Sequence, residues 1–129
     1  MMLPLKYQAW YHYYQMMCEV LQLRMNYSDA LLLDPNGCDR LVALSELSIR
    51  QSTGLQDYYE NEIYFGDFVE VFKGDEIVYR ISIESIQDLS LLVNHLSSGY
   101  SLKVIGNVYQ HPNLLETCYH QIEDERILD

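Results

Sequence analysis

Basic residues are scarce in this chain: eight Lys and Arg stand against nineteen Asp and Glu, for a formal net charge of -11 over 129 residues. Affinity for nucleic acid comes largely from cations that displace counterions from phosphates, so direct DNA or RNA binding is not expected. Cysteine is also sparse. Cys18, Cys38 and Cys118 are odd in number, widely spaced and without a Cys-x-x-Cys pair, which argues against a disulfide framework and against a zinc ribbon and fits a reducing cytosol. No stretch is long and apolar enough to cross a bilayer, and the opening Met1-Met2-Leu3-Pro4-Leu5-Lys6 lacks a basic region followed by an apolar run. The expectation is a soluble, cytoplasmic protein without a membrane partner. Walker-type loops, dinucleotide fingerprints and Gly-x-Ser-x-Gly elbows are absent, and Gly54, Gly66 and Gly74 are too scattered to cradle a phosphate.

What is abundant is tyrosine, twelve against three phenylalanines, within a hydrophobic share of 49%. Tyrosine joins an apolar ring to a polar tip, so many of these rings are expected half-buried on strands or at interfaces. The length suits one domain, 1–129, with two lobes: N-terminal hairpins over 1–50 and a motif-bearing β core over 51–117, followed by an acidic tail over 118–129.

The expected fold is mainly β (α+β), antiparallel hairpins forming a twisted sheet or small barrel. Tyr7 to Tyr11 and Met16 to Leu23 read as a hairpin closed by His12 to Gln15, with Trp10 as its core anchor. Ala30 to Leu33 and Leu41 to Leu44 flank Asp34-Pro35-Asn36-Gly37, where proline presets one dihedral and Asn-Gly tolerates a positive one. Ser45 to Ile49 reads as a loop or short helical turn. Thr53-Gly54-Leu55 reads as a turn, Glu62 to Asp67 as the entry to a strand, and Phe68 to Phe72 as the strand itself, in which Phe68, Glu70 and Phe72 point one way and Val69 and Val71 the other. Lys73-Gly74-Asp75-Glu76 then reverses the chain into Ile77 to Ile83, with Ile77, Tyr79, Ile81 and Ile83 on one face. Ser85 and Asp88 form a capping pattern before Ile86, Leu89, Leu92, Val93 and Leu96, which predicts an amphipathic helix around 85–97 ended by Ser97-Ser98-Gly99. Ser101 to Ile105 restores strand character, Gly106-Asn107 allows a bulge or bend, and Val108-Tyr109 continues the strand. Pro112 starts a short helix near 112–118, and Gln121 to Asp129 reads as a frayed tail unless Ile127-Leu128 docks on a partner.

Taken together, Thr53-Gly54-Leu55, Asp57, Glu62-Ile63-Tyr64-x-Gly66-Asp67-x-Val69-x-Val71, then Val104-Ile105-Gly106-Asn107-x-Tyr109-x-x-Pro112-x-Leu114-Leu115, resemble the YopX-like proteins of phages and prophages. Ala9-Trp10, Met16-Met17 and Val20 also look like that family's opening strands, so the resemblance runs from about Lys6 to Glu116. Tyr58-Tyr59-Glu60-Asn61 stands where the family has a Lys-x-Gly-Lys type turn, and asparagine's tolerance of left-handed angles is expected to replace the glycine. The resemblance implies a mostly β, phage- or prophage-encoded protein that assembles into oligomers. It implies no established activity and no functional residues.

Constellations that could carry chemistry are few. Glu62 and Asp67 are the nearest approach to a carboxylate pair for glycoside hydrolysis, but hydrogen bonding of Asp67 to backbone amides around Gly66 accounts better for it. His111, Cys118 and His120 suggest a zinc or Cys-His arrangement that lacks a fourth ligand. His95 reads as a surface residue or a cation at a helix C-terminus. No catalytic, metal or cofactor-binding residue is therefore assigned and no cofactor is expected. The leading expectation is a non-enzymatic protein that forms homo-oligomers and binds a host or phage protein. Its alternatives are an acidic DNA mimic, using the carboxylates between Asp57 and Asp88 to inhibit a host DNA-binding protein, and a small hydrolase.

Overall fold

Tyr7–Tyr11 (β1) and Met16–Arg24 (β2) pair antiparallel across the turn His12 to Gln15 in the computed structural model, which describes residues 6–114. The register sets Ala9 opposite Cys18 on the face that becomes core and Trp10 opposite Met17 on the other face. Alternation therefore makes Ala9 and Tyr11 the buried residues and leaves Trp10 half-buried, so Trp10 is not the anchor expected of it. A one-residue bulge at Leu21 re-aims the second half of β2 where it meets Asp29–Leu33 (β3). β3 pairs with Asp39–Ala43 (β4) across the predicted Asp-Pro-Asn-Gly turn, with Gly37 at φ +86°. Asp34 organises that turn: Oδ1 accepts the amides of Asn36 (2.9 Å) and Cys38 (3.0 Å), and Oδ2 accepts Arg40 Nε at 2.7 Å.

After a single 3-10 turn, Leu44–Glu46, the chain enters Leu47–Gln56 (β5). The loop or short helical turn expected over Ser45 to Ile49 is that turn at Ser45 and Glu46, while Leu47 to Ile49 are strand, because the free edge of β1 pairs with them, Ala9 opposite Ile49. Strand order in this unit, which ends at Ser52, is β4-β3-β2-β1-β5, and Ala9, Tyr11, Cys18, Ala30, Leu32 and Val42 form its core.

The second unit begins at Thr53. Thr53-Gly54-Leu55 is not a turn but the end of β5, with Gly54 at φ +84° inside the strand. Thr53 Oγ1 donates to Ile63 O (2.7 Å) and accepts Leu55 N–H, fixing the local irregularity that the glycine permits. β5 here neighbours Glu62–Tyr64 (β6). The strand expected over Phe68 to Phe72 lies within Asp67–Lys73 (β7), but its expected entry is a strand of the other sheet: Gly66, at φ +94°, turns the chain between β6 and β7.

β7 forms a tight hairpin with Glu76–Ser82 (β8) through Gly74-Asp75, as predicted. Val71 faces Tyr79 but Phe72 faces Ile77, so Val78 is an extra residue and the alternation slips there. Ile77 is consequently 51% exposed instead of sharing the core face of Tyr79, Ile81 and Ile83. The helix is where it was expected, Ile86–Ser97 (α1), entered through a reciprocal capping box between Ser85 and Asp88. It leads to Ser101–Asn107 (β9), which lies on the other side of β7 from β8, giving the order β8-β7-β9. Both β8 and β9 run antiparallel to β7, so they are parallel to each other and α1 is the crossover between them.

A second bulge, at Ile105, precedes Gly106. Beyond it the strand stops: Asn107 Oδ1 accepts the amides of Tyr109 (3.0 Å) and Gln110 (2.9 Å), so Val108-Tyr109 form a turn and not a continuing strand. Ile63, Val69, Val71, Tyr79, Ile81, Ile83, Leu92 and Leu102 are the core of this unit, each contributing about 1.5–3 kcal/mol of transfer free energy. Both sheets are open, which decides between the sheet and barrel alternatives among the described residues. Leu114 is the last described residue, so most of the helix expected near 112–118 and the acidic tail over 118–129 lie outside them.

Candidate functional site

The residues that carry the sequence motifs converge in the second unit, where they are occupied with backbone. Asp57 is 7% exposed; Oδ1 accepts the amides of Tyr59 (2.9 Å) and Asn61 (2.8 Å), while Oδ2 accepts Val104 N–H at 2.9 Å. With Tyr58 N–H donating to Leu102 O (2.8 Å), this seats the 57–61 loop along the outer edge of β9. The left-handed position in the loop falls on Glu60, φ +67°, and not on Asn61 as expected. Asp67, 2% exposed, accepts Tyr64 N–H at Oδ2 (2.8 Å), the backbone role anticipated for it. Around it Gly66 N–H donates to Ile83 O, Ile83 N–H to Asp67 O, and Val108 N–H to Gly66 O. The His111 ring lies against Gly106, where an added Cβ would stand 2.6 Å from Nδ1, and Asn107 N–H donates to that nitrogen at 3.3 Å.

These engagements bear on the chemical candidates. Asp67 has an oxygen committed inside the β6–β7 turn and Glu62 is half-buried in β6. His111 spends Nδ1 on Asn107, and its suggested companions Cys118 and His120 lie outside the described residues. Among the described residues no three His, Cys, Asp or Glu side chains are placed to hold a metal. His95 stands in the last turn of α1, as one of its two expected readings has it, but it is not a plain surface residue: it is half-buried, with its ring bonded to Tyr79 Oη (2.7 Å at Nε2) and to Leu91 O, edge-on to the Tyr79 and Tyr100 rings. Nothing in its spacing from Tyr79 could have announced that cluster.

Of the nine carboxylates between Asp57 and Asp88, Glu60, Asp75, Glu76 and Glu84 are exposed, but four are engaged. Asp57, Asp67 and Glu70 are buried, Glu70 bonding Arg80 Nε at 2.9 Å, and Asp88 is taken up by the helix cap. In the first unit the Arg40 guanidinium, then the Cys38 amide, hold the Asp34 carboxyl below its ordinary value, and Arg24 does the same for Asp29. Burial pushes the Cys18 thiol up, whereas Cys38 is exposed.

A groove of about 490 Å³ runs beside β9, lined by Tyr58, Tyr59, Phe72, Asp75, Ser101 and Lys103 among others. Neither Glu62 nor Asp67 lines it. Tyr58 and Tyr59 meet edge to face at 5.3 Å, and the Lys103 ammonium lies over the Tyr59 ring at 6.0 Å. Exposed tyrosine is a recurrent feature: Tyr13 and Tyr14 in the β1–β2 turn, Tyr27 in the β2–β3 turn, and Tyr58 and Tyr59 are all more than half exposed and all outside strands, whereas Tyr7, Tyr100 and Tyr109 are half-buried as expected. Tyr7, Tyr11, Tyr64 and Tyr79 do occupy strands.

No helix among the described residues is long and apolar enough to cross a membrane. The fold is similar to that in the crystal structure of protein EF1440 from Enterococcus faecalis, with a TM-score of 0.51 and 20% identity over 88% of this chain and 99% of that one. No curated protein matches the sequence. The family described as YopX protein matches residues 6–116, which takes in both motifs and the opening strands. The chain belongs to the YopX protein family.

Proposed function

We propose that this protein is a non-enzymatic accessory protein of a phage or prophage, working in the host cytoplasm by binding protein, both further copies of itself and a host or phage partner. The observation that carries this reading is the display of Tyr13, Tyr14, Tyr27, Tyr58 and Tyr59 on connecting segments. A tyrosine ring held at a loop brings a large amphipathic contact area at low conformational cost, which is what protein interfaces use. The commitment of Asp57, Asp67 and Glu70 to backbone amides and to Arg80 supports the same choice, since it engages one member of the Glu62–Asp67 pair and part of the acidic row. The excess of acid over base supports a protein rather than a nucleic-acid partner.

The test is affinity capture from the infected or lysogenic host with mass measurement of intact complexes, beside light scattering of the purified chain from micromolar to millimolar concentration. Tyr13→Ser and Tyr58→Ser should weaken recovery of the captured protein without lowering the melting temperature. A strict monomer throughout, together with an empty capture, overturns the reading.

A further inference from the structure

The sequence expectation for α1 was a single apolar face laid on the sheet, but the helix has two. Leu91 and Leu92 pack on the core and His95 meets Tyr79. Ile86, Val93 and Leu96 remain 69%, 43% and 39% exposed, and Leu89 is half-buried between them. These four follow one another at intervals of three, four and three residues, the seam spacing of helices that pack side by side and narrower than a stripe shaped for a sheet.

We propose that this seam is the contact between two copies of the chain, packed antiparallel about a twofold axis. The proposal deepens the self-association part of the function proposed above and rests on it. Antiparallel placement sets Ile86 of one copy against Leu96 of the other and Leu89 against Val93, so a single stripe is complementary to itself, as a twofold interface requires. Charge singles out the same surface. Two copies of a chain at -11 repel wherever carboxylates meet, yet the rest of the exposed helix, Gln87, Ser90, Asn94 and Ser97, is uncharged. The helix's one acid, Asp88, is turned into the cap, where it accepts the amides of Glu84 (2.9 Å) and Ser85 (3.1 Å). Antiparallel alignment also brings each helix N-terminus beside its neighbour's C-terminus, which the helix dipoles favour.

The experiment compares the full chain with Ile86→Glu and Leu96→Lys by sedimentation equilibrium over a wide concentration range. Both substitutions suit the end of the helix on which they fall, an acid near the start and a base near the finish, so helix content and melting temperature should hold. Val93→Glu serves as a second, independent variant if either does not fold. The unsubstituted chain should dimerise, each variant alone should stay monomeric at those concentrations, and mixing Ile86→Glu with Leu96→Lys chains should restore a dimer by pairing the new charges across the seam. Variants that self-associate like the unsubstituted chain overturn the helix contact while leaving self-association standing. Monomeric variants that mixing does not rescue overturn the antiparallel arrangement, and an unsubstituted chain that never associates overturns this proposal and the self-association beneath it.

Discussion

Replacing Asp57 tests the idea that the family motif is a device for holding backbone. Its carboxylate accepts three main-chain amides at 2.8–2.9 Å, two inside its own loop and one, Val104, 47 residues away. In Asp57→Ala the Tyr59 and Asn61 amides belong to an exposed loop and can turn to water, so each costs only the net value of a hydrogen bond, about 1 kcal/mol. The Val104 amide sits on a half-buried strand residue and loses a charged acceptor, which costs about 2 kcal/mol. The sum, about 4 kcal/mol, corresponds to a melting temperature lower by about 15 °C for a chain of this size. Asp57→Asn keeps an acceptor for the loop but presents an amide group to Val104 N–H, so it should cost about 2 kcal/mol, half as much. Thermal unfolding followed by circular dichroism gives the totals, and amide hydrogen exchange should show Val104 losing protection in both variants. An alanine variant within about 1 kcal/mol of the original chain, or unaltered exchange at Val104, would refute the reasoning.

Other perturbations follow from single positions. Glu60 holds a left-handed angle that costs a side-chain-bearing residue about 1–2 kcal/mol; Glu60→Gly, after subtracting glycine's greater freedom in the unfolded chain, should raise stability by about 0.5–1 kcal/mol, read as a melting temperature a few degrees higher. Gly106→Ala must push the His111 ring off the backbone it covers and should destabilise by about 1–3 kcal/mol, with loss of the Asn107–His111 hydrogen bond visible as faster exchange at Asn107. Because the folded Asp34 carboxyl lies below its unfolded value of 3.8, its contribution to stability is fully present above that pH and is lost as pH falls through the lower folded value. The melting temperature of Asp34→Asn should therefore fall less steeply below pH 4 than that of the unsubstituted chain.

Sequence and structure agree where local chemistry and tertiary contacts point the same way. The Asp34-Pro35-Asn36-Gly37 turn, the Gly74-Asp75 hairpin and the Ser85–Asp88 helix start are each specified within a few residues, and each stands as expected. The misplacements share a different cause. Strand identity at Leu47 to Gln51 depends on the free edge of β1, a partner about forty residues earlier, and no local pattern reveals it. Bulges at Leu21, Val78 and Ile105 shift the alternation by one, which is why strict alternation puts Ile77 on a face it does not share. At the candidate site, the backbone role of Asp67 was legible because its acceptor work is three residues away. That of Asp57 toward Val104, and the enclosure of His95 by Tyr79 and Tyr100, join distant segments and were not.

The crossover from β8 to β9 has a consequence for the order in which the second unit assembles. The β7–β8 hairpin closes over two residues and can form early, whereas β9 reaches β7 only after a whole helix has been made and laid across the sheet, so loop-closure entropy delays it. The loop at Asp57 latches onto β9 through Val104 and must therefore engage later still. Cutting that latch should leave the refolding rate nearly untouched and appear almost entirely as faster unfolding, making Asp57 a guardian of the native state's lifetime and a bystander to its birth.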